Sequence, residues 1–309
     1  MNVLMIGGDK NMLTAGTEAY RRFELQRGAV ESLDLFVWPQ IHSRRVILKA
    51  AKAKHYDVVT ASDPFWRGLL ALHAARRARA KLNVQVHVDL THVSLFRRLL
   101  ARFILRCADS VRVVSEHLKV VVEQMGVKKP IHVLPVYLNL ESFRTLMHHK
   151  HPRYFRTILW IGRFEPEKNP LIAIEVVAAA RKAGIDACLI MLGEGSLKEA
   201  LMRAARDFQK CVEFPGWMPP APYLAMADVV VSTSDHESYG ASIVEALAAG
   251  VPVVSPDYGI AREAGATVVP RSELAKATMD ILRSGTRGTL KLPMLDAGEW
   301  TRRWVETLV

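Results

Sequence analysis

Two glutamates, Glu237 and Glu245, flank a junction in Asp235-His236-Glu237-Ser238-Tyr239-Gly240-Ala241-Ser242-Ile243-Val244-Glu245-Ala246-Leu247. This run follows the apolar stretch Asp228-Val229-Val230-Val231-Ser232 directly. A strand that empties into a polar turn, then glycine, then a helix opening on small residues is a place where backbone amides face an anion. With Gly240, Ala241 and Ser242 opening the helix, Glu237 lies on the loop before it and Glu245 inside it. A carboxylate accepts from two hydroxyls and suits a vicinal diol. In a helix as apolar as Ile243–Ala249 a lone charge needs a partner. An anion site with hydroxyl-holding carboxylates on both sides describes a nucleotide sugar.

The countercharge stands earlier in the chain. The run Thr157–Ile161 leads into Gly162-Arg163-Phe164-Glu165-Pro166-Glu167-Lys168-Asn169-Pro170, two cations beyond a strand's carboxyl end. Arg163 can fork onto phosphate oxygens and Lys168 can add a point charge, the division expected at a diphosphate. Alone, the same loop would read as two solvated cations. The run Leu189–Leu192 ends in Gly193-Glu194-Gly195-Ser196, whose glycines permit close approach of a ligand to the backbone. Phe214-Pro215-Gly216-Trp217-Met218-Pro219 is another strand end, with apolar side chains suited to a flat base, although Trp217 reads equally well as core. Other chemistries lack their signatures. Gly7-Gly8 followed by Gly16 is not GxGxxG, and no GxxxxGK[ST] occurs. The eleven histidines are scattered, and His148-His149-His151 reads as a solvated linker and not as a zinc site.

Positioning these residues takes strands that alternate with helices. Apolar runs suited to buried strands occur at 3–8, 33–37, 58–60, 82–88, 111–114 and 131–134, with clear helices at 65–80 and 95–107. After the basic stretch His148–Arg153 the pattern restarts. Strands are expected at 157–161, 187–192, 212–214, 229–232, 252–255 and 267–269, and helices at 170–183, 197–208, 222–227, 241–249 and 272–284. Such alternation predicts parallel sheets covered on both faces. The fold class is α/β, two Rossmann-like doubly wound domains facing a cleft: residues 1–150, residues 151–295, and a terminal helix over 296–309 that packs back on the first domain.

Half of the 309 residues are apolar, which excludes a disordered chain. Cys107, Cys188 and Cys211 are far apart and without a CxxC pair, as in a reducing compartment. The opening Met1–Gly7 is too short for a signal peptide, and no run reaches the length of a membrane span. The net charge of +11 is one-sided: residues 1–150 hold 24 Lys and Arg against 12 Asp and Glu, residues 151–309 hold 18 against 19. An anionic partner of the first half is one reading and a solvated basic face the other. Within it, Leu95–Arg106 is a basic amphipathic helix. Packing its apolar face on the sheet is the favoured reading, and lying on an anionic leaflet the alternative. Interleaved aromatics are sparse, so nucleic acid is the weaker partner.

Taken in order, Gly162-Arg163 with Lys168-Asn169-Pro170, Gly193-Glu194-Gly195, and Glu237 with Glu245-Ala246-Leu247-Ala248-Ala249-Gly250-Val251-Pro252 resemble the retaining GT-B glycosyltransferases of the group 1 (family 4) class. The likeness spans roughly 155–270 and extends more loosely upstream through Asp63-Pro64-Phe65, Val84-Gln85-Val86-His87, Val113–Glu116 and Leu134-Pro135-Val136. It implies a donor, a UDP-, GDP- or ADP-linked sugar, held mainly by the second domain. Arg163 and Lys168 would neutralise the diphosphate with help from the amides at Gly240, Ala241 and Ser242, Glu237 would contact the sugar, Glu245 the ribose, and His87 the reacting centre. Gly193, Glu194, Met218 and Gly16 complete the expected donor-binding set, with no metal and no cofactor. The implied reaction is transfer of a hexose, with retention, to an envelope lipid, a polysaccharide or a small molecule bound by the first domain, in a cytoplasmic protein or one peripheral to the inner membrane face. A nucleotide-sugar 2-epimerase on the same frame and a non-catalytic membrane-surface binding protein are the competing readings. The chain departs from the class at Tyr239, where Phe is usual, in the irregular turn from Gly7 to Thr17, and in its shortness.

Overall fold

The computed structural model describes residues 1–309 apart from Gln209, Ser238 and Met294; Ser238, in the loop before the glycine, therefore lies outside the described residues. Two parallel six-stranded sheets carry the chain. The first holds β1 (Asn2–Gly7), β2 (Ser32–Val37), β3 (Val58–Ala61), β4 (Lys81–Val86), β5 (Ser110–Val113) and β6 (Ile131–Val133) in the order β2-β1-β3-β4-β5-β6. The second holds β7 (Arg156–Ile161), β8 (Ala187–Leu192), β9 (Val212–Gly216), β10 (Val229–Val231), β11 (Val253–Ser255) and β12 (Thr267–Val268) in the order β12-β11-β10-β7-β8-β9. Every residue of β8 is buried, which is why it reads as an unbroken apolar run and not as an alternating one; β3 and β5 are equally buried but take in Thr60, Ser110 and Arg112.

Helices connect the strands. In the first half they are α1 (Glu18–Gly28), α2 (Arg44–Ala53), α3 (Trp66–Ala78), α4 (Leu95–Cys107) and α5 (Glu116–Gln124). The second half holds α6 (Glu141–Arg144), α7 (Leu171–Lys182), α8 (Lys198–Ala204), α9 (Ala221–Leu224), α10 (Ala241–Ala248), α11 (Ala261–Ala264), α12 (Leu274–Ser284) and α13 (Ala297–Glu306). The single helix expected over 197–208 instead ends at Ala204, and a 3-10 turn at Arg206–Phe208 follows, closed by the Phe208 amide on the Ala205 carbonyl at 2.8 Å. Among the described residues no helix is long and apolar enough to cross a membrane.

The chain divides into two compact units. Met1–Leu138 and the last residues up to Val309 form one, and Asn139–Pro293 forms the other. The stretch 148–153, read from the sequence as a linker, is held by the second unit. The His149 amide donates to Ala225 O at 3.0 Å, His148 Nε2 lies 2.6 Å from Ala249 O, and His151 is buried.

Helix α13 completes the first core. Asp296 caps it by accepting from the Glu299 amide at 2.8 Å, with Glu299 at the third helical position as in a capping box. Trp300 and Trp304, both buried, enter a cluster with Val3, Met5, Phe23, Leu33, Val58, Leu134 and Tyr137. Polar groups below that cluster are joined in turn: Thr60 Oγ1 donates to Asn83 Oδ1 at 2.7 Å, Asn83 Nδ2 donates to Thr307 O at 2.7 Å, and Ser110 Oγ donates to the same carbonyl at 2.9 Å.

Helix α4 packs inward with its arginines exposed, as the favoured reading has it, but on only part of its apolar surface. It buries Ala101, Ile104 and Leu105 and leaves Leu95, Phe96, Leu99 and Phe103 exposed. The inward arc meets α3 closely, where a Cβ at Gly68 would come within 2.8 Å of Ile104 Cγ2. The bare glycine backbone admits Ile104 on the inward arc, which Ala101 and Leu105 share.

Candidate functional site

In the second sheet the order reverses between β7 and β10, the position at which an open parallel sheet leaves a crevice beyond its carboxyl ends. The loops leaving these two strands are the ones that carry the cations and Glu237. Buried Trp160 of β7 donates its Nε1 hydrogen to Thr233 Oγ1 at 2.8 Å, and Thr233 Oγ1 donates to Lys168 O at 2.7 Å. The Asp235 amide donates to Glu167 O at 2.9 Å. Strand, 3-10 turn (Pro166–Lys168) and the loop after β10 are thereby locked into one piece. Lys168 Nζ then forms an ion pair with Glu237 Oε1, which also accepts from Ser234 Oγ at 2.9 Å. Both partners are largely shielded, with side chains 16% and 23% exposed, so the pair is set in a medium where charges act strongly.

Arg163 is placed differently. Its guanidinium pairs with Glu167 Oε1 at 2.8 Å and is 61% exposed, so the structure joins Lys168 to Glu237 but leaves Arg163 on the loop surface. Gly240 takes φ +95° as the residue before α10, with no side chain capping the helix. Ala241 and Ser242 begin the helix, and Glu245 lies one turn further in, half-buried. Behind Glu237, the Tyr258 hydroxyl hydrogen-bonds Ser232 Oγ, and burial, ahead of the Glu237 charge, raises the phenol above its ordinary range. Burial would raise the Asp235 carboxyl too, but hydrogen bonding and the charge of Arg271, 2.5 Å away, hold it below the ordinary range.

The Gly193–Ser196 turn has a structural explanation. The Phe164 amide donates to Glu194 O at 2.9 Å, and the Leu197 amide donates to Phe164 O at 2.8 Å. A Cβ at Gly193 would fall 1.8 Å from Gly162 O, and one at Gly195 would fall 2.5 Å from Phe164 O. The close approach these glycines allow is therefore that of the neighbouring loop's backbone. Glu194 pairs with Lys198 at 2.7 Å on the surface. Glu165 is held below the ordinary carboxyl range by hydrogen bonds from the Ser196 hydroxyl and amide. Trp217 and Met218 are exposed, which removes Trp217 from the core.

His87 and Gly16 belong to the first unit. His87 stands just beyond β4 with Nε2 3.3 Å from Gln85 Oε1. Gln85 in turn donates to Thr60 Oγ1 at 3.0 Å and accepts from buried Arg112 at 2.7 Å. Burial first, then the charges of Arg112 and Arg22, push the imidazole down to about 3, so at neutral pH it is an uncharged hydrogen-bonding group. A cavity of about 400 Å³ surrounds it, lined by Gly8, Arg22, Asp63, Arg67, Gln85 and Arg112 among others. Gly16 is exposed in the loop before α1, which Thr17 caps by accepting from the Tyr20 amide at 3.1 Å. Sequence reasoning did not single out Thr233, Trp160, Ser234, Arg271 or Arg112. The one available signal was an indole donor on a strand too apolar to satisfy it locally.

Comparison with known proteins bears on both units. The glycosyl transferase 4-like domain family model matches residues 11–136, and that of glycosyl transferases group 1 matches residues 155–284. The GDP-mannose-dependent alpha-(1-6)-phosphatidylinositol dimannoside mannosyltransferase of Mycobacterium tuberculosis is 37% identical over 97 residues, covering 30% of this chain and 25% of that protein. The alpha-monoglucosyldiacylglycerol synthase of Streptococcus pneumoniae is 26% identical over 235 residues, 67% of this chain and 53% of that protein. The chain thus spans between a quarter and about half of these relatives. Among solved structures, Anabaena HepE in complex with UDP and glucose superposes with a TM-score of 0.75 at 17% identity, covering 100% of this chain and 99% of that one. Sucrose-phosphate synthase from Thermosynechococcus elongatus gives 0.72 at 18%, covering 100% and 95%. With two parallel six-stranded sheets matching these neighbours, the chain has the GT-B fold and is made of a glycosyl transferase 4-like domain and a glycosyl transferases group 1 domain.

Proposed function

We propose that the chain is a metal-independent glycosyltransferase that moves a hexose, with retention, from a nucleoside-diphosphate sugar to an acceptor hydroxyl. The Lys168–Glu237 ion pair at the switch point of the second sheet carries this reading. Before the donor arrives, each charge neutralises the other. On binding, a diphosphate oxygen takes Lys168 and releases Glu237 to accept from the sugar hydroxyls. Arg163 turns from Glu167 to the same diphosphate, and the amides that open α10 add their partial charge. Glu245 holds the ribose, and the exposed Trp217 and Met218 lie beside the base.

The sugar's anomeric C–O bond to phosphate breaks and its electron pair leaves with the nucleoside diphosphate, whose developing charge these cations stabilise. The anomeric carbon gains oxocarbenium character. The acceptor oxygen bonds to it on the same face, and the acceptor proton passes to the departing phosphate oxygen. His87, uncharged, is a hydrogen-bonding group of the cavity in the first unit that takes the acceptor. Relatives named for a phosphatidylinositol dimannoside and for a glucosyl diacylglycerol favour a lipid acceptor.

A thermal-shift screen of UDP-, GDP- and ADP-hexoses on the wild type and on Glu245→Ala tests the proposal. One nucleotide sugar should stabilise the wild type, less so the variant, and release of free nucleoside diphosphate should depend on added acceptor. Stabilisation by none of them refutes it, and inversion of the sugar's 2-position without acceptor would assign the epimerase reaction instead.

A further inference from the structure

The outward face of α4 has the composition of a surface that another phase should cover. Leu95, Phe96, Leu99 and Phe103 are 73%, 62%, 56% and 51% exposed, and Trp66 of α3, 54% exposed, brings its ring to 6.2 Å from that of Phe96. At 3.6 residues per turn, positions 95, 96, 99 and 103 share one side of the helix, Arg98 and Arg102 border it along one edge, and Arg106 closes it at the carboxyl end. Scattered exposed hydrophobes are ordinary, whereas five contiguous large ones mark an interaction surface. The opposite arc of α4, with Ala101, Ile104 and Leu105, is the one that is buried, Ile104 against Gly68 of α3.

From this arrangement we infer that α4 and Trp66 form an interfacial docking surface for an anionic lipid bilayer. The charge pattern selects that occupant. Neither α3 nor α4 carries a single Asp or Glu, so a second copy seated on this face would bring arginine rows together with no carboxylate on either helix to offset them. A bilayer of anionic phospholipid complements both features: the apolar side chains reach about 5–10 Å into the headgroup boundary while the arginine heads remain among phosphates. The aromatic pair Trp66 and Phe96 suits the same depth. This inference is independent of the reaction proposed above.

Co-sedimentation of the full chain with vesicles tests it. At low salt the wild type should bind phosphatidylglycerol-containing vesicles, should bind phosphatidylcholine vesicles much more weakly, and should be released as salt is raised. Arg98→Gln/Arg102→Gln should lower the partition coefficient about thirtyfold, from the loss of two basic residues at the surface, and Phe96→Ser/Phe103→Ser at least about tenfold. Both pairs lie on the solvent side, so circular dichroism and Tm should match the wild type. Absence of wild-type binding at low salt, or variants that bind like the wild type, overturns the inference. A dimer in size exclusion that Phe96→Ser/Phe103→Ser abolishes, without vesicle binding, overturns it too and assigns the face to a second copy.

Discussion

Replacing His87 with glutamine should remove a specific part of the chain's acid sensitivity. In the folded protein His87 is pushed down to about 3 by burial and by the charges of Arg112 and Arg22, whereas in the unfolded chain it titrates near about 6.5. Between these values the unfolded state binds the extra proton, so stability is present above about pH 6.5 and is lost as pH falls toward the folded value. Integrated from pH 7.5 to pH 5, the loss is about 2 kcal/mol. At pH 5 the folded-state group is uncharged whether it titrates at 3 or a unit higher, so the figure depends almost entirely on the unfolded value. Glutamine matches the imidazole's hydrogen bonding toward Gln85 but carries no titrating proton. Urea denaturation of both proteins at the two pH values gives the difference directly, because the other histidines are common to both. The wild type should lose about 2 kcal/mol more than His87→Gln over this interval, and the His87 ring resonance should stay at its neutral position down to pH 5. Equal losses in the two proteins, or a ring that titrates near 6.5, would refute the burial argument and with it the uncharged role assigned to His87.

Three further outcomes follow from the geometry. Lys168→Met should lower kcat/KM for the nucleotide sugar by about 10²–10³, as for removal of one electrostatic stabiliser, and a change under threefold in steady-state assays would remove Lys168 from the reaction. Gly195→Ala, whose new Cβ would meet the Phe164 backbone, should cost at least about 2 kcal/mol by forcing two loops apart; an unchanged denaturation midpoint would show that the loops give way freely. Trp304→Ala, at a fully buried position among Val3, Phe23 and Leu33, should destabilise the first unit by about 3–5 kcal/mol, read as an early transition in calorimetry.

Much of this arrangement was legible because it is periodic or local. The strands at 157–161, 187–192 and 229–232 are short apolar runs with polar loops behind them, and the restart of that pattern is what two doubly wound units require. Hence Lys168 and Glu237 could each be placed on a loop beyond a strand's carboxyl end from the sequence. Contacts across sequence distance were not legible. The spacing of α4 fixes its arcs but not which of them turns inward, where Ile104 meets a glycine on another helix. Gly193 and Gly195 signalled a close approach without saying whose backbone approaches. The hydroxyl of Thr233 looks ordinary in the sequence, yet it joins Trp160 to Lys168. Arg112 sits in an apolar run that gives no sign of its bonds to Gln85 and to the carbonyls of Leu134 and Pro135.

The Thr307 carbonyl, which accepts from both Asn83 and Ser110, has a consequence for the order of assembly on the ribosome. Domains ordinarily fold as they emerge, the amino-terminal one first. Here β4 and β5 are translated early, yet the groups that satisfy Asn83 and fill the space around Val3 and Phe23 are on residues 300–307. The whole of Asn139–Pro293 is synthesised in between. The second unit can therefore close while its predecessor still waits with an open seam, so the nascent chain matures in the reverse of its reading order.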